Sequence, residues 1–263
     1  VWQCKRSVSI CDALQKAGYE STVREKTGLI IDPYFSGTKL TWLVRNHPAT
    51  RETLARGEAF FGTVDSWILY RLTGGAVHAT DHTNASRTLL FDIKNLRWDE
   101  ELARTLEVPD LRLPAAHPSA HHYGESDFGG AFSRAIPITA MIGDSQSAFF
   151  GERCYAPGDA KATLGTGSSI LLNAGGARPE PYKSTMSTIG FSIPGRLDYA
   201  LEGIIVSAGS ILTWLGRELG LFPEPEALEQ AAIDAGESHG VVLVPAHAGL
   251  GAPFWRMDAR GSI

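Results

Sequence analysis

Cysteine is scarce: Cys4, Cys11 and Cys154 are the only three in 263 residues, with no CxxC pair and no histidine at ligand spacing. That odd, scattered set excludes a disulfide framework and a zinc centre as the basis of the fold, and it fits a reducing, cytoplasmic setting. Long apolar runs are missing too, since no stretch reaches the ~20 residues that cross a bilayer and no basic-then-apolar leader opens the chain. An excess of positive charge is also absent: 24 Lys and Arg stand against 29 Asp and Glu, a net charge of -5, with no basic cluster. Nucleic acid and membrane surfaces are thereby excluded as electrostatic partners, leaving a small molecule or a protein; a homo-oligomer is compatible with this. What is present, 43% hydrophobic and 20% charged residues, describes a globular chain long enough for two domains. The chain begins VWQCKRS without methionine and stops at Asp258–Ile263 as a strand-like pattern starts, so a piece of a longer chain is expected.

Helices and strands alternate. Ile10, Cys11, Leu14 and Ala17, closed by Gly18, have helical spacing, and Leu40, Leu43 and Val44 share a face of a second helix that stops at Pro48. Thr63 is placed to cap a helix over Val64–Leu72, ended by Gly74-Gly75, and Asp99 to Leu106 reads as another. Trp42, Trp67 and Trp98 are expected as buried aromatics. His117 to Arg134 reads as an irregular connection in which His121-His122 lacks a third metal ligand.

The run Ile136–Ile142 predicts a short strand buried on both faces of a parallel sheet, with Asp144 at its carboxyl end. Ligands bind at that end of an open α/β sheet, so Asp144 has two readings, a helix cap and a catalytic base in a cleft. Beyond the turn at Tyr155–Asp159, Lys161–Leu172 predicts two strand halves meeting at Gly165-Thr166-Gly167, then a hairpin turning at Pro194-Gly195 and a helix over Ser207–Leu219. A glycine-flanked threonine suits phosphate oxygens, although this is no Walker A loop, and the helix start near Gly209 is expected to offer free amides.

These residues resemble the FGGY carbohydrate kinases, and within that family its glycerol kinases. The resemblance is carried by Tyr34–Trp42 (YFSGTKLTW), Phe61–Trp67 (FGTVDSW), Thr80–Thr88 (TDHTNASRT) and Gly249–Trp255 (GLGAPFW). It implies an α/β, actin-like and ribonuclease-H-like two-domain sugar kinase fold, incomplete here. Residues 1–152 would be the remainder of an N-terminal substrate domain, and 153–263 the first part of a nucleotide-binding domain. It further implies ATP-dependent phosphorylation of a polyol hydroxyl, glycerol first, with ATP and Mg²⁺ as cofactors. Asp144 would take the proton from the hydroxyl. Trp2, Tyr34, Ser145 and Ser169 would face the substrate with it, and Gly165, Thr166, Gly167, Gly209 and Thr213 would face the nucleotide. The family's DxGT-type loop, its Arg-Glu substrate pair and its adenine loop are not in this sequence.

Two positions depart from the glycerol kinase pattern. Gly-Asp-Gln-Gln becomes Gly143-Asp144-Ser145-Gln146, and the aromatic after the Gly-Thr-Gly turn becomes Ser169. The expected pocket is roomier and more polar and offers two new hydrogen-bonding groups, which brings in a longer polyol or a ketose (erythritol, ribitol, xylulose, ribulose) as the alternative substrate. Arg134 is displaced from the regulatory-loop arginine, which argues against sugar-bisphosphate control. Because actin-like domains also build chaperones and filaments, an inactive piece with a binding role is the reading from another class.

Overall fold

The computed structural model describes residues 4–180 and 185–263. Five helices come first: α1 (Val8–Lys16), α2 (Glu20–Thr27), α3 (Ser36–Asn46), α4 (Pro48–Ala55) and α5 (Val64–Leu72). Short elements follow: β1 (Ala79–Asp81), α6 (His82–Ala85), β2 (Phe91–Asp92), β3 (Arg97–Trp98), α7 (Glu100–Thr105), β4 (Ala115–His117), β5 (Glu125–Ser126) and β6 (Ile136–Pro137). Then α8 (Asp144–Gly151) leads into β7 (Ala160–Leu164), β8 (Ser168–Gly175), β9 (Met186–Ile193), β10 (Arg196–Ile205), α9 (Gly209–Arg217) and α10 (Pro225–Ala235).

Local chemistry sets the ends of these elements. Gly18 and Gly28 take φ of 84° and 74° after α1 and α2, left-handed values that cost a glycine nothing. Asp99 caps α7 by accepting the amide of Leu102 at 2.9 Å. The strongest cap belongs to Asp81, a fully buried carboxylate before α6 that accepts the amides of Thr83 and Asn84 and the hydroxyls of Thr83 and Ser119. With that many donors the buried charge is satisfied.

Strands β7 to β10 form one antiparallel sheet in the order β7-β8-β10-β9. Leu171 and Ala200 from its central strands pack with Phe191 against Phe149 of α8. Ile189 and Tyr199 pack against Phe91 and Ile93, and Met186 and Ile204 join the core of Leu29, Ile31, Phe35 and Leu90. The sheet is therefore fixed against the preceding helices, with α8 and the Gly165–Gly167 turn on the same structure.

Several sequence expectations change. Residues 136–142 are no parallel strand buried on both faces: β6 is two residues long, antiparallel to β5, and Pro137, Thr139 and Ala140 are exposed. The apolar run instead zips antiparallel to 119–126, with Ile138 donating to Gly124 and Met141 to Ser119. Proline at 137 cannot donate to a central ladder, which confines the run to an edge. Trp67 is 59% exposed, stacked beside Tyr70 with Arg71 over its ring, whereas Trp42 and Trp98 are half-buried. Thr63 precedes α5 in extended backbone, but its hydroxyl donates to the Asp65 carboxylate and caps no amide. In α3 the deepest side chains are Thr38 and Thr41, because the helix seats Gly37 against Thr88 and bonds Thr41 to the carbonyl of Leu106 at 2.8 Å.

Candidate active site

Asp81 starts a relay that ends at the candidate base. The Thr83 hydroxyl donates to the Asp81 carboxylate at 2.7 Å and accepts the Gly143 amide at 2.9 Å. Gly143 is the N-cap of α8 and Asp144 its first residue, so the carboxylate lies over the positive end of the helix. The Ser145 amide donates to Asp144 Oδ1 at 2.7 Å, while the side chain as a whole stays exposed.

Asp144 borders a cleft of about 610 Å³ that Tyr34, Ser145, Ser169, Gly165, Thr166 and Gly167 also line. Tyr34 is held by its backbone amide on Asp32 Oδ1 at 2.8 Å and edge-on to Phe35 at 5.2 Å. Burial raises its phenol pKa, so it remains a hydroxyl, with Arg87, Glu202 and Asp144 as its charged neighbours. Trp2 lies outside the described residues.

The two serines do not stand free. Ser145 Oγ accepts a hydrogen bond from Lys161 Nζ at 2.8 Å and lies 3.2 Å from Ser169 Oγ, which donates to Glu202 Oε1 at 3.1 Å. Glu202 Oε2 pairs with Arg87 Nη1 at 2.5 Å. A chain of five side chains thus runs along the cleft wall from Lys161 to Arg87, and both serine hydroxyls already hold partners within the protein. Lys161 is 1% exposed and bonds only hydroxyls, to Ser145 and to Thr163 at 2.7 Å; burial lowers its pKa. Arg87, Glu202 and Lys161 were not candidate site residues from sequence. The signal was available in Lys161 and Glu202, each a full charge inside a strand-forming run.

The Gly165–Gly167 turn is tightly built. A Cβ on Gly167 would lie 2.6 Å from the carbonyl oxygen of Ile205, and one on Gly209 would lie 2.7 Å from that of Gly165. The amides of Ala208 and Ser210 donate to Thr166 O at 2.9 and 3.2 Å, and that of Gly209 to Gly165 O at 2.9 Å. The first amides of α9 are therefore spent on the turn and are not free for a phosphate, which corrects that expectation. Gly209 supports the turn from behind. Thr166 is exposed and also borders a second cavity of about 250 Å³ beside Asp32, Ser210 and Trp255. Thr213 is exposed, lines neither cavity, and gives its hydroxyl to Gly209 O at 3.3 Å.

Residues 1–151 match the FGGY family of carbohydrate kinases, N-terminal domain. The chain belongs to the FGGY family of carbohydrate kinases. All 263 residues align with the glycerol kinase of Carboxydothermus hydrogenoformans at 48% identity over 53% of that protein's length, and with that of Brevibacillus brevis at 46% over 52%. The chain thus spans about half the length of the curated relatives it matches. Among solved structures, Plasmodium falciparum glycerol kinase with ADP superposes with a TM-score of 0.86 at 34% identity, over 100% of this chain and 52% of that one. A ligand-bound xylulose kinase from Lactobacillus acidophilus superposes at 0.82 with 22% identity over the same shares, a likeness of fold.

Proposed function

We propose that this chain carries the acceptor side and part of the phosphate side of an ATP-dependent polyol kinase, with glycerol as the first substrate and glycerol 3-phosphate as the product. The observation that supports this reading is a carboxylate at a helix N-terminus, Asp144, and a glycine-flanked threonine, Thr166, bordering one cleft. Phosphoryl transfer to an alcohol has a loose transition state, so the acceptor needs alignment and a nearby proton acceptor more than prior ionisation. In this reading Asp144 takes the hydroxyl proton, Tyr34 bonds a second hydroxyl, and Gly165, Thr166 and Gly167 face the nucleotide phosphates. Residues 153–263 would then supply the nucleotide side and 1–152 the acceptor side.

ATP supplies the transferred phosphoryl group and Mg²⁺ offsets its charge. Among the described residues no three His, Cys, Asp or Glu side chains gather into a metal site. No helix among the described residues is long and apolar enough to cross a membrane. By size alone, the small Ser145 and Ser169 leave room for a second reading, a kinase of a longer polyol or a ketose.

The test is direct. The protein expressed from its native reading frame should release ADP from ATP when supplied with Mg²⁺ and glycerol, or with a four- or five-carbon polyol or a ketose. No release with any of these would remove the reading.

A further inference from the structure

The five-membered chain along the cleft wall has a direction. Lys161 Nζ donates to Ser145 Oγ, which therefore accepts; the Glu202 carboxylate, paired with Arg87, accepts from Ser169, which spends its proton there. In the remaining contact, 3.2 Å between the two hydroxyls, Ser145 must then be the donor and Ser169 the acceptor. Both ends are anchored by charge: Lys161 is buried beneath the cleft, and Glu202, 3% exposed, is paired with Arg87. Every proton on Ser145 and Ser169 is committed, and each oxygen keeps one lone pair for the cleft. The hydroxyl of Thr163, in register with Ser169 and also bordering the cleft, retains a proton, whereas the two serine oxygens themselves offer only lone pairs.

Resting on the kinase reading above, we infer that Ser145 and Ser169 form an acceptor-only wall that selects a hydroxyl, and rejects a carbonyl, on the carbon next to the reacting hydroxyl. Asp144, Ser145 and Ser169 border the same cleft, so in this inference a substrate whose hydroxyl meets Asp144 lays its neighbouring carbon against the two serines. An alcohol there donates its proton to a serine oxygen. A ketone oxygen brings only lone pairs against lone pairs, leaving both sides unpaired as the cleft desolvates. The protein is thus a kinase of polyols, and the ketose branch of the alternative substrates is disfavoured by the direction of five side chains.

Glycerol and dihydroxyacetone differ at that one carbon, and either end of the ketone places its carbonyl there. The measurement is kcat/KM for both, on the wild-type protein from its native reading frame and on Ser169→Ala. Wild type should prefer glycerol by tenfold or more. Ser169→Ala removes one acceptor and frees the Ser145 proton to donate, so the preference should fall about tenfold. A change that only loosened the fold would lower both substrates together and leave the ratio alone. As a second variant, Glu202→Gln supplies an amide that can donate to Ser169 and release its proton, and it should shift the ratio the same way. Turnover with dihydroxyacetone equal to or better than glycerol in wild type, or a ratio unmoved by both variants, overturns the acceptor-only wall while the kinase reading stands. No turnover of any polyol or ketose removes the kinase reading and this inference together.

Discussion

The hydroxyl of Thr83 accepts the amide proton of Gly143 at 2.9 Å, which ties the Asp81-capped helix α6 to the loop that presents Asp144. This bond explains why a run of small polar residues, Thr80–Thr88, sits buried next to the cleft: it sets the position of the carboxylate. Thr83→Val keeps the shape and removes the hydroxyl, leaving the Gly143 amide unpaired and Asp81 short of a donor. We expect about 1–3 kcal/mol lost in urea unfolding, the range for an unsatisfied buried group. We also expect kcat to fall by up to about 100-fold, the effect of an ångström-scale shift in the base. A variant with wild-type stability and turnover would show that the loop is held by other contacts.

Removing Arg87 tests the other end of the wall. Glu202 is buried with Arg87 as its cationic partner, and the guanidinium also lies 5.2 Å from the Phe35 ring. Arg87→Met should cost about 3–5 kcal/mol, because it leaves a buried carboxylate uncompensated. The double variant with Glu202→Met should recover part of that loss in the same denaturation assay. Additive losses would contradict the pairing.

The turn makes a paired prediction. Gly167→Ala forces a methyl to within 2.6 Å of a backbone oxygen, whereas at Gly165 the nearest atom would be at 3.6 Å, an ordinary contact. The first substitution should lower stability by about 1–3 kcal/mol and the second should be close to neutral, as read by thermal unfolding. Equal losses would refute the packing argument.

His82 gives the pH dependence. It is buried with Nδ1 on the Ser192 hydroxyl at 2.9 Å, and burial, with a smaller effect from His117, holds its pKa down to about 4. The unfolded chain takes up this proton near pH 6.5 and the folded one only near 4. Its contribution is therefore complete above about pH 6.5 and is lost progressively as pH falls to about 4, by on the order of 3 kcal/mol. Stability measured across that window should fall with acid, and His82→Gln should flatten this part of the profile. An unchanged slope would mean that His82 titrates normally.

How much was legible in the sequence depended on how local the cause was. The helix over Val8–Lys16, the β7–β8 hairpin and the β9–β10 hairpin followed from spacing and turn residues, because neighbours in sequence decide them. The run 136–142 misled, since a proline-bearing apolar segment reads the same whether its pairing partner is parallel or antiparallel, and the partner lies elsewhere in the chain. Trp67 misled because helical spacing gives a face but not what covers it. At the site, Asp144 and the Gly165–Gly167 turn were readable from type and position. The commitments of Ser145 and Ser169 were not, because Lys161 and Glu202 reach them from separate strands and only the sheet register brings them together.

The central claim is that Asp144 accepts the substrate proton, and Asp144→Asn tests it most directly. The substitution keeps size and can still accept the Ser145 amide, so the melting temperature and nucleotide affinity should stay at wild-type values. Turnover of the preferred polyol, followed by ADP release with saturating ATP and Mg²⁺, should drop by about 10²- to 10⁴-fold, the range for loss of a general base. Turnover within a few-fold of wild type would contradict the assignment and leave Asp144 only its place at the start of α8.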